Sequence, residues 1–279
     1  MAQETFLERY TPHAGLVLDI TERLYDAKSP YQRIEIFQTR GFGRMLTLDG
    51  CVMLTEEDEF VYHEMIVHPA LFAHGRPERV LIIGGGDGGS VRETLRHEGV
   101  RAVTLVEIDQ MVVEASRRFL PTLSAGLADP RVRIEYADGY YHLDAHKAAY
   151  DVILVDSIDP VGEAAKLFTG PFYDKVHEAL RPGGVAVFET ESPSYDGHIL
   201  ARVCATLRER FRHVAPYLAA IPTYPSGLWS FTFASDAVAP RGAQPALDAP
   251  WLGELKYFTP ELFRAAFALP RFIQARVGG

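Results

Sequence analysis

The chain has few cysteines, no long apolar stretch and no cluster of basic residues. Its two cysteines, Cys51 and Cys204, stand in apolar runs without the spacing of a disulfide or a zinc site, and we interpret both as buried apolar side chains. Residues 1–8 lack the pattern of a secretory leader, and no later stretch is long and apolar enough to span a bilayer. These absences predict a soluble, cytoplasmic protein with no membrane partner.

The charge balance argues against nucleic acid as a partner. The 28 Lys and Arg are outnumbered by 37 Asp and Glu, for a formal net charge of -9. Phosphate backbones require a basic face, and no Lys/Arg cluster with interleaved aromatics occurs. A net negative charge attracts cationic ligands, but it indicates a binding site only where acidic side chains line a pocket.

The 279 residues, 47% of them hydrophobic, can bury a full core, and their pattern changes near residue 56. The first part predicts short antiparallel strands at 15–24, 31–37, 45–48 and 51–54, separated by Gly, Pro and Asp-Gly turns. An acid-rich start and helical spacing predict a bridging helix over 55–72. We therefore divide the chain into an N-terminal β domain, 1–56, and a catalytic domain, 57–279.

The second part alternates buried strands with amphipathic helices. This alternation is typical of a mostly parallel sheet with helices on both faces, an α/β fold. The strands are predicted at 80–83, 103–106, 132–136, 152–155, 185–188, 214–221 and 228–234, and a surface loop is predicted at 239–250.

A glycine loop follows the first of these strands and opens a helix, in the order Gly84, Gly85, Gly86, Asp87, Gly88, Gly89, Ser90. Glycine permits positive φ and lets a ligand touch the backbone, although a tight turn with no ligand would have the same sequence pattern. The next strand ends in Glu107, 23 residues after Gly84, where an acid accepts both ribose hydroxyls. Together the two signals predict a nucleoside site.

Asp87 indicates which nucleoside. A pyrophosphate over the loop would be repelled by this carboxylate, whereas a sulfonium ligand with an amino group would be attracted. After the third strand, Asp138 and Gly139 stand where methyltransferase-like folds accept the adenine amino group. Capping of a turn by Asp138 is the equally weighted alternative.

The fourth strand delivers two carboxylates, Asp156 and Asp159, at its C-terminal end, where open α/β sheets build their sites. The aromatic residues Tyr62, Tyr224 and Trp229 flank loops expected on the same side. Acids beside aromatic rings form a pocket for a cation.

Several segments of the chain together resemble the spermidine synthase family, the polyamine aminopropyltransferases. They occur in that family's order over nearly the whole chain, and generic methyltransferases share only the glycine loop and the acid of the second strand. The segments are Leu48-Asp-Gly, Asp58-Glu-Phe-Val-Tyr-His-Glu, Gly84-Gly-Gly-Asp-Gly-Gly, Val106-Glu-Ile-Asp, Asp156-Ser-Ile-Asp-Pro, Pro222-Thr-Tyr-Pro-Ser-Gly and Phe267-Ala-Leu-Pro.

This resemblance implies a methyltransferase-like Rossmann domain after the β domain, and transfer of the aminopropyl group of decarboxylated S-adenosylmethionine, a co-substrate, to putrescine. Asp156 is the implied general base, and a homodimer, with a homotetramer as alternative, is the implied assembly. The implied cofactor-binding residues are Gln32, Gly84, Gly85, Gly86, Asp87, Glu107, Ile108, Asp138 and Gly139. The implied substrate-binding residues are Tyr62, His63, Asp87, Asp156, Asp159, Glu189 and Tyr224.

Three positions depart from the family pattern: Met53, Glu163 and Glu189, the last in place of a substrate-contacting glutamine. An added carboxylate could favour an acceptor other than putrescine, such as agmatine, cadaverine or spermidine, or could pair with a neighbour and leave preference unchanged. Two rivals to the aminopropyltransferase are a small-molecule methyltransferase and a non-catalytic sensor of the sulfonium ligand. No metal is proposed, because His63 and His68 are five residues apart and do not share a helix face.

Overall fold

The computed structural model describes residues 4–157, 162–243 and 248–278. Its first five strands form one antiparallel sheet in chain order, joined by short turns. They are β1 (Glu4–Thr11), β2 (Ala14–Lys28), β3 (Arg33–Thr39), β4 (Arg44–Leu48) and β5 (Cys51–Thr55). Strand β1 was not predicted from the sequence, and the domain boundary at 56/57 stays a prediction.

The remaining strands form a mixed, mostly parallel sheet in the order β11-β12-β10-β9-β6-β7-β8. Only β12 runs antiparallel to its neighbours β10 and β11. The strands are β6 (Arg79–Gly84), β7 (Ala102–Glu107), β8 (Val132–Tyr136), β9 (Tyr150–Asp156), β10 (Leu180–Glu189), β11 (His213–Ala219) and β12 (Trp229–Ser235).

Helices cover both faces of this sheet, which confirms the predicted α/β architecture. They are α1 (Glu59–His74), α2 (Gly89–Leu95), α3 (Gln110–Phe119), α4 (Pro121–Ser124), α5 (Gly139–His142), α6 (Gly170–Ala179), α7 (Gly197–Arg208), α8 (Pro260–Ala265) and α9 (Arg271–Val277). None of the helices in the described ranges is long and apolar enough to cross a membrane.

The antiparallel sheet packs on α3 through apolar side chains. Ile34, Ile36 and Leu46 on the sheet join Val112 and Ala115 on the helix in one buried cluster. Burial of such side chains removes apolar area from water and contributes about 1.5–3 kcal/mol each. This cluster fixes the N-terminal sheet against the edge of the parallel sheet where the strands end.

Helix α1 begins later than predicted and is buried on almost every side. Of the four acids expected to open it, Glu59 does lie in its first turn, whereas residues 56–58 form a turn before it, in which Asp58 accepts hydrogen bonds from the hydroxyls of Thr55 and Thr223 at 2.6 and 2.7 Å. Pro69 lies inside the helix and cannot donate to the carbonyl of Met65. The hydroxyl of Tyr217 donates to that carbonyl at 2.7 Å, so the missing bond is replaced.

Five parallel strands end at one edge of the sheet. In spatial order β10, β9, β6, β7 and β8, they finish at Glu189, Asp156, Gly84, Glu107 and Tyr136. Because carboxyl ends of parallel strands build sites in open α/β sheets, this edge is where ligand-binding side chains are expected to meet.

Candidate active site

The glycine loop allows the ends of β6 and β9 to approach closely. Gly84 pairs with Asp156 in the sheet and has a φ of 81°, a value that side chains other than glycine rarely adopt. A Cβ on Gly84 would lie 1.9 Å from the carbonyl oxygen of Asp156. The glycine therefore brings Asp87, three residues further on, beside the carboxylate at the end of β9.

Asp156 is held by two hydroxyl groups from different elements. Tyr62 of α1 donates to its Oδ1 at 2.7 Å, and Ser90 of α2 donates to its Oδ2 at 2.6 Å. Burial, and then the negative charge of Asp87, raise the pKa of Asp156 above its usual range and outweigh these hydrogen bonds. The result is an oriented carboxylate with increased affinity for a proton.

Asp87 contacts the imidazole of His63. His63 Nε2 lies 3.1 Å from Asp87 Oδ1, and the N–H of Gly89 donates to the same oxygen at 2.7 Å. Burial alone would raise the pKa of Asp87, but the charge and hydrogen bond of His63 lower it. Asp87 is thus an ionised group at the floor of the site.

Glu107 ends β7 and accepts a hydrogen bond from the backbone N–H of Asp109 at 2.8 Å. Burial, and to a smaller extent the charges of Asp109 and Asp156, raise the pKa of Glu107 to about 7. Gln32, from the N-terminal sheet, donates its amide N–H to Asp109 Oδ2 at 3.0 Å. The Gln32 amide group therefore joins the two sheets beside Glu107.

Asp138 caps the short helix α5. Its Oδ1 accepts the backbone N–H of Tyr140 at 2.9 Å, and Lys166 forms an ion pair with Oδ2. The turn-capping alternative considered for Asp138 is thus present in the structure, and its contact with adenine stays a prediction. Gly139 lies so close to Ile83 that a Cβ would come within 2.3 Å of its side chain.

Aromatic rings and a buried acid form the opposite end of the site. The rings of Tyr62 and Tyr224 lie 5.8 Å apart between centroids, and Tyr224 packs edge-on against Trp229 at 4.8 Å. Tyr224 donates its hydroxyl to the carbonyl of Met53. Glu189 is 3% exposed, and its Oε2 accepts the N–H of Glu191 at 3.2 Å.

These groups surround one cavity of about 580 Å³ that runs between the two sheets. Among the described residues, nine carboxylates line it, against the cationic side chains of Arg9 and Lys166 and the imidazole of His63. Such an excess of negative charge attracts a ligand that carries several positive charges. The carboxylates belong to Glu8, Asp49, Asp87, Glu107, Asp138, Asp156, Glu189, Glu191 and Asp196.

A cluster of three potential metal ligands is formed by His63, Asp87 and Asp156. Within the described residues their potential ligand atoms lie within 4.8 Å of one another. His63, however, already contacts Glu59 through Nδ1 at 2.6 Å and Asp87 through Nε2 at 3.1 Å. An imidazole that donates from both nitrogens has no lone pair for a metal.

Fourteen of the residues expected to bind substrates or catalyse lie on this cavity, and their roles stay predictions. Asp159 lies outside the described residues, as does the side chain of Glu163. The fourteen are Gln32, Tyr62, His63, Gly84, Gly85, Gly86, Asp87, Glu107, Ile108, Asp138, Gly139, Asp156, Glu189 and Tyr224.

The sequence reasoning missed a second group of lining residues. Glu8, Arg9 and Tyr10 come from β1, which carries no turn signal and too little alternation to be predicted. Glu191 lies two residues after the end of β10 at Glu189, so an acid close to the end of a buried strand was the signal that could have found it. Asp196, before α7, gave no comparable signal.

Comparisons with known proteins agree along the whole chain. A model of the spermine/spermidine synthase domain matches residues 59–241, and a model of the spermidine synthase tetramerisation domain matches residues 5–56. The polyamine aminopropyltransferase of Thermoanaerobacter sp. (strain X514) is 46% identical over 273 residues, 96% of each chain. That of Bacillus subtilis (strain 168) is 42% identical over 274 residues, 98% of each chain.

Two solved structures share the fold closely. A spermidine synthase in complex with the transition-state analogue AdoDATO has a TM-score of 0.96 and 41% identity, with 99% of this chain and 95% of that chain covered. The spermidine synthase of Thermotoga maritima has a TM-score of 0.95 and 40% identity, with 100% and 95% covered. The chain belongs to the spermine/spermidine synthase family and is a polyamine aminopropyltransferase.

Proposed function

We propose that this enzyme transfers the aminopropyl group of decarboxylated S-adenosylmethionine to putrescine, with Asp156 as general base. The observation that carries the proposal is the carboxylate of Asp156, oriented by Tyr62 and Ser90 in a cavity that nine acids of the described ranges line. The products are spermidine and methylthioadenosine. A structural relative in complex with AdoDATO supports this choice of co-substrate.

The reaction needs a base because the attacking amine is protonated at neutral pH. An alkyl ammonium with a pKa near ~10.4 costs roughly 4.6 kcal/mol to deprotonate at pH 7. Asp156, with its pKa raised by burial and by Asp87, takes this proton as nitrogen attacks the carbon bonded to sulfur. The C–S bond breaks as the C–N bond forms, and the sulfonium leaves as a neutral thioether.

The proposed cofactor contacts follow the ends of the strands. Glu107 accepts the ribose hydroxyls, Asp138 and Gly139 contact the adenine, and Asp87 binds the amine of the aminopropyl group. Asp87 also disfavours ordinary S-adenosylmethionine, because a second carboxylate beside it is repelled in a site with little water.

Assembly is proposed from the N-terminal sheet. Residues 5–56 match a tetramerisation-domain model, and the exposed side chains of Leu7 and Val17 stand directly opposite each other on β1 and β2. An exposed apolar pair of this kind is typical of an interface. We propose an oligomer, a homodimer or homotetramer, acting in the cytoplasm.

Asp156→Asn tests the central step. Because asparagine keeps the shape but cannot take the proton, we expect methylthioadenosine release to fall by at least about a hundredfold, in the range of general-base contributions. Binding of methylthioadenosine, measured by calorimetry, is expected to stay within about threefold of wild type. Turnover equal to wild type would remove Asp156 from the mechanism.

The same assay separates the rival functions. Wild-type enzyme is incubated with decarboxylated S-adenosylmethionine and each of putrescine, agmatine, cadaverine and spermidine. Faster methylthioadenosine release with an acceptor other than putrescine would favour that acceptor. Methyl transfer from S-adenosylmethionine without aminopropyl transfer would indicate a methyltransferase, and ligand binding without turnover would indicate a sensor.

A further inference from the structure

The active site places two partly buried carboxylates side by side. Oxygens of Asp87 and Asp156 lie within 4.8 Å of each other and of a ring nitrogen of His63. Two carboxylates that share a site do not both ionise unless a cation compensates them, and one of them otherwise keeps a proton. A base that already carries a proton cannot accept one from the substrate.

The contacts of His63 identify it as the cation that compensates Asp87 and Asp156. Its Nδ1 lies 2.6 Å from Glu59 Oε2, and its Nε2 lies 3.1 Å from Asp87 Oδ1. An ionised carboxylate only accepts hydrogen bonds, so both ring nitrogens donate, which requires the imidazolium form. The ring also lies against Gly89, where a Cβ would come within 2.5 Å of three ring atoms. This packing therefore fixes the position of the imidazole ring.

Glu59 is itself held by Arg92. The guanidinium donates to both carboxylate oxygens of Glu59, from Nη1 to Oε1 and from Nη2 to Oε2, each at 2.9 Å. A bidentate pair of this kind fixes the carboxylate in direction as well as in charge. Charges therefore alternate from α2 to the glycine loop in the order Arg92, Glu59, His63 and Asp87.

We propose that His63 is the resident cation of the active site, an imidazolium that lets Asp87 and Asp156 be ionised together before substrates bind, and that Glu59 and Arg92 are positioning residues acting through it. The inference rests on the proposed roles of Asp156 as base and Asp87 as amine ligand. It assigns a function to a pair, Glu59 and Arg92, that does not line the cavity.

The charged and titratable groups around His63 determine whether its loss raises or lowers the pKa of Asp156. Glu59 and Tyr62 face it from α1, Asp87 from the glycine loop and Asp156 from the end of β9. Burial would lower the pKa of His63, but the two carboxylates in contact raise it to about 10. Tyr62 stays uncharged because burial raises its pKa well above 10. Loss of the imidazolium thus removes a positive charge that lowers the pKa of Asp156, and we expect that pKa to rise.

The test is the pH profile of kcat/KM for decarboxylated S-adenosylmethionine, which reports ionisations of the free enzyme. For His63→Gln we expect the acid limb to move up by about 1–3 pH units, as for the loss of an opposite charge at this distance. Activity should recover at pH 9. Glu59→Gln should give a smaller shift, and the double variant should match His63→Gln because Glu59 acts through His63.

Glu64→Gln is the matched control. Glu64 lies on the same helix, is 3% exposed, does not line the cavity, and accepts the backbone N–H groups of Tyr257 and Phe258 at 2.9 and 2.7 Å. This change should lower the thermal midpoint without moving the acid limb. A pH-independent loss in His63→Gln, an unmoved acid limb, or additive shifts in the double variant would overturn the proposal.

A second measurement is independent of catalysis. In enzyme labelled with ¹⁵N-histidine, with the His63 signals assigned by their loss in His63→Gln, we expect the imidazolium shift pattern at pH 8 in the wild type. A neutral imidazole at pH 8 would refute the inference even if Asp156→Asn is inactive. Conversely, wild-type turnover in Asp156→Asn together with a charged His63 would refute the proposed base and leave the charge state of His63 standing.

Discussion

The hydroxyl of Tyr62 donates a 2.7 Å hydrogen bond to Oδ1 of Asp156 and so joins the first turn of α1 to the end of β9. This bond fixes the plane of the carboxylate, and with Ser90 on the other oxygen it leaves the remaining lone pairs of Asp156 for the substrate. The position of α1 therefore orients the carboxylate of the proposed base.

Tyr62→Phe is expected to lower kcat by about 10- to 100-fold. A hydrogen bond to a charged group contributes about 1.5–3 kcal/mol, and this one orients the proposed base. The check is steady-state release of methylthioadenosine, with methylthioadenosine affinity measured in parallel and expected to stay near wild type. An unchanged kcat would contradict an orienting role for the hydroxyl.

Tyr217→Phe provides the control for this experiment. Its hydroxyl makes a buried hydrogen bond of the same 2.7 Å length, but to the carbonyl of Met65, outside the cavity. Because Pro69 cannot replace the lost donor, the variant is expected to unfold at lower denaturant concentration while kcat stays close to wild type. Equal losses of kcat in the two variants would point to general destabilisation.

Affinity for the nucleoside is expected to depend on pH through Glu107. Its pKa of about 7 means that the carboxylate is ionised above neutrality and protonated below. Ribose hydroxyls donate to the ionised form, so the Kd of methylthioadenosine should rise by up to tenfold for each pH unit below 7. Titration calorimetry between pH 5.5 and 8.5 measures this dependence.

Glu107→Gln should remove most of this pH dependence and weaken binding at pH 8 by about 10- to 100-fold, the range for a lost hydrogen bond to a charged group. Glu114→Gln, the same change on the exposed side of α3, is the control and should behave as wild type. A Kd that is independent of pH in the wild type would argue against ribose binding by an ionised Glu107.

Acid is expected to destabilise the protein through His97. This side chain packs between the rings of Phe72 and Trp251, with its Nε2 3.0 Å from Nδ1 of His68. Burial, and then the charge of His68, lower the pKa of His97 from 6.5 to about 2. Below pH 6.5 the unfolded chain takes up a proton at His97 that the folded chain does not. The contribution of His97 to the free energy of unfolding is therefore fully present above pH 6.5 and falls below it, by up to about 1.4 kcal/mol per pH unit.

Urea unfolding between pH 5 and 7.5 tests this dependence. His97→Phe keeps an aromatic ring in the cluster and is expected to flatten the slope below pH 6.5. His13→Gln, on the exposed turn after β1, is expected to leave the slope unchanged. If His97→Phe retains the full wild-type slope, other groups cause the acid sensitivity.

Glu189 is expected to tune the choice of acceptor. It is buried at the end of β10 and its charge acts on both Tyr62 and Tyr224, so it lies in the proposed amine end of the cavity. We expect Glu189→Gln to lower the ratio of kcat/KM for agmatine to that for putrescine by about tenfold, because a planar guanidinium can bind the carboxylate through two hydrogen bonds and so loses more than an ammonium does. The same ratio in both proteins would show that Glu189 is not the selector.

Much of the site could be predicted because parallel strands place their carboxyl ends at one edge. The glycine loop, Glu107 and Asp156 each follow a recognisable buried strand, and the structure brings them together. The alternative for Asp138, that it caps a turn, also came from local sequence and is present. Local patterns are sufficient where a backbone feature and a chemical group fall in the same few residues.

The features that the sequence did not predict depend on tertiary contacts between residues far apart in the chain. Arg92 is an ordinary surface arginine in sequence, and its role becomes visible only when α1 and α2 pack and Glu59 meets its guanidinium. The start of α1 was predicted too early because Glu56 and Glu57 suit a helix N-terminus. The buried hydrogen bonds of Asp58 to Thr223, 165 residues away, favour a turn instead.

The cavity wall has two origins, which bears on how such an enzyme changes over evolution. The β1 residues Glu8 and Tyr10 and the β5 residue Met53 line one side, whereas Glu107 and Asp156 belong to the parallel sheet and Asp87 to its glycine loop. Apart from Gln32, which lies beside Glu107, substitutions in the N-terminal sheet are therefore expected to alter the proposed acceptor side while the proposed nucleoside side stays intact. New acceptor preferences could then arise by drift at positions such as Glu8, Tyr10 and Met53 without passing through forms that have lost the co-substrate.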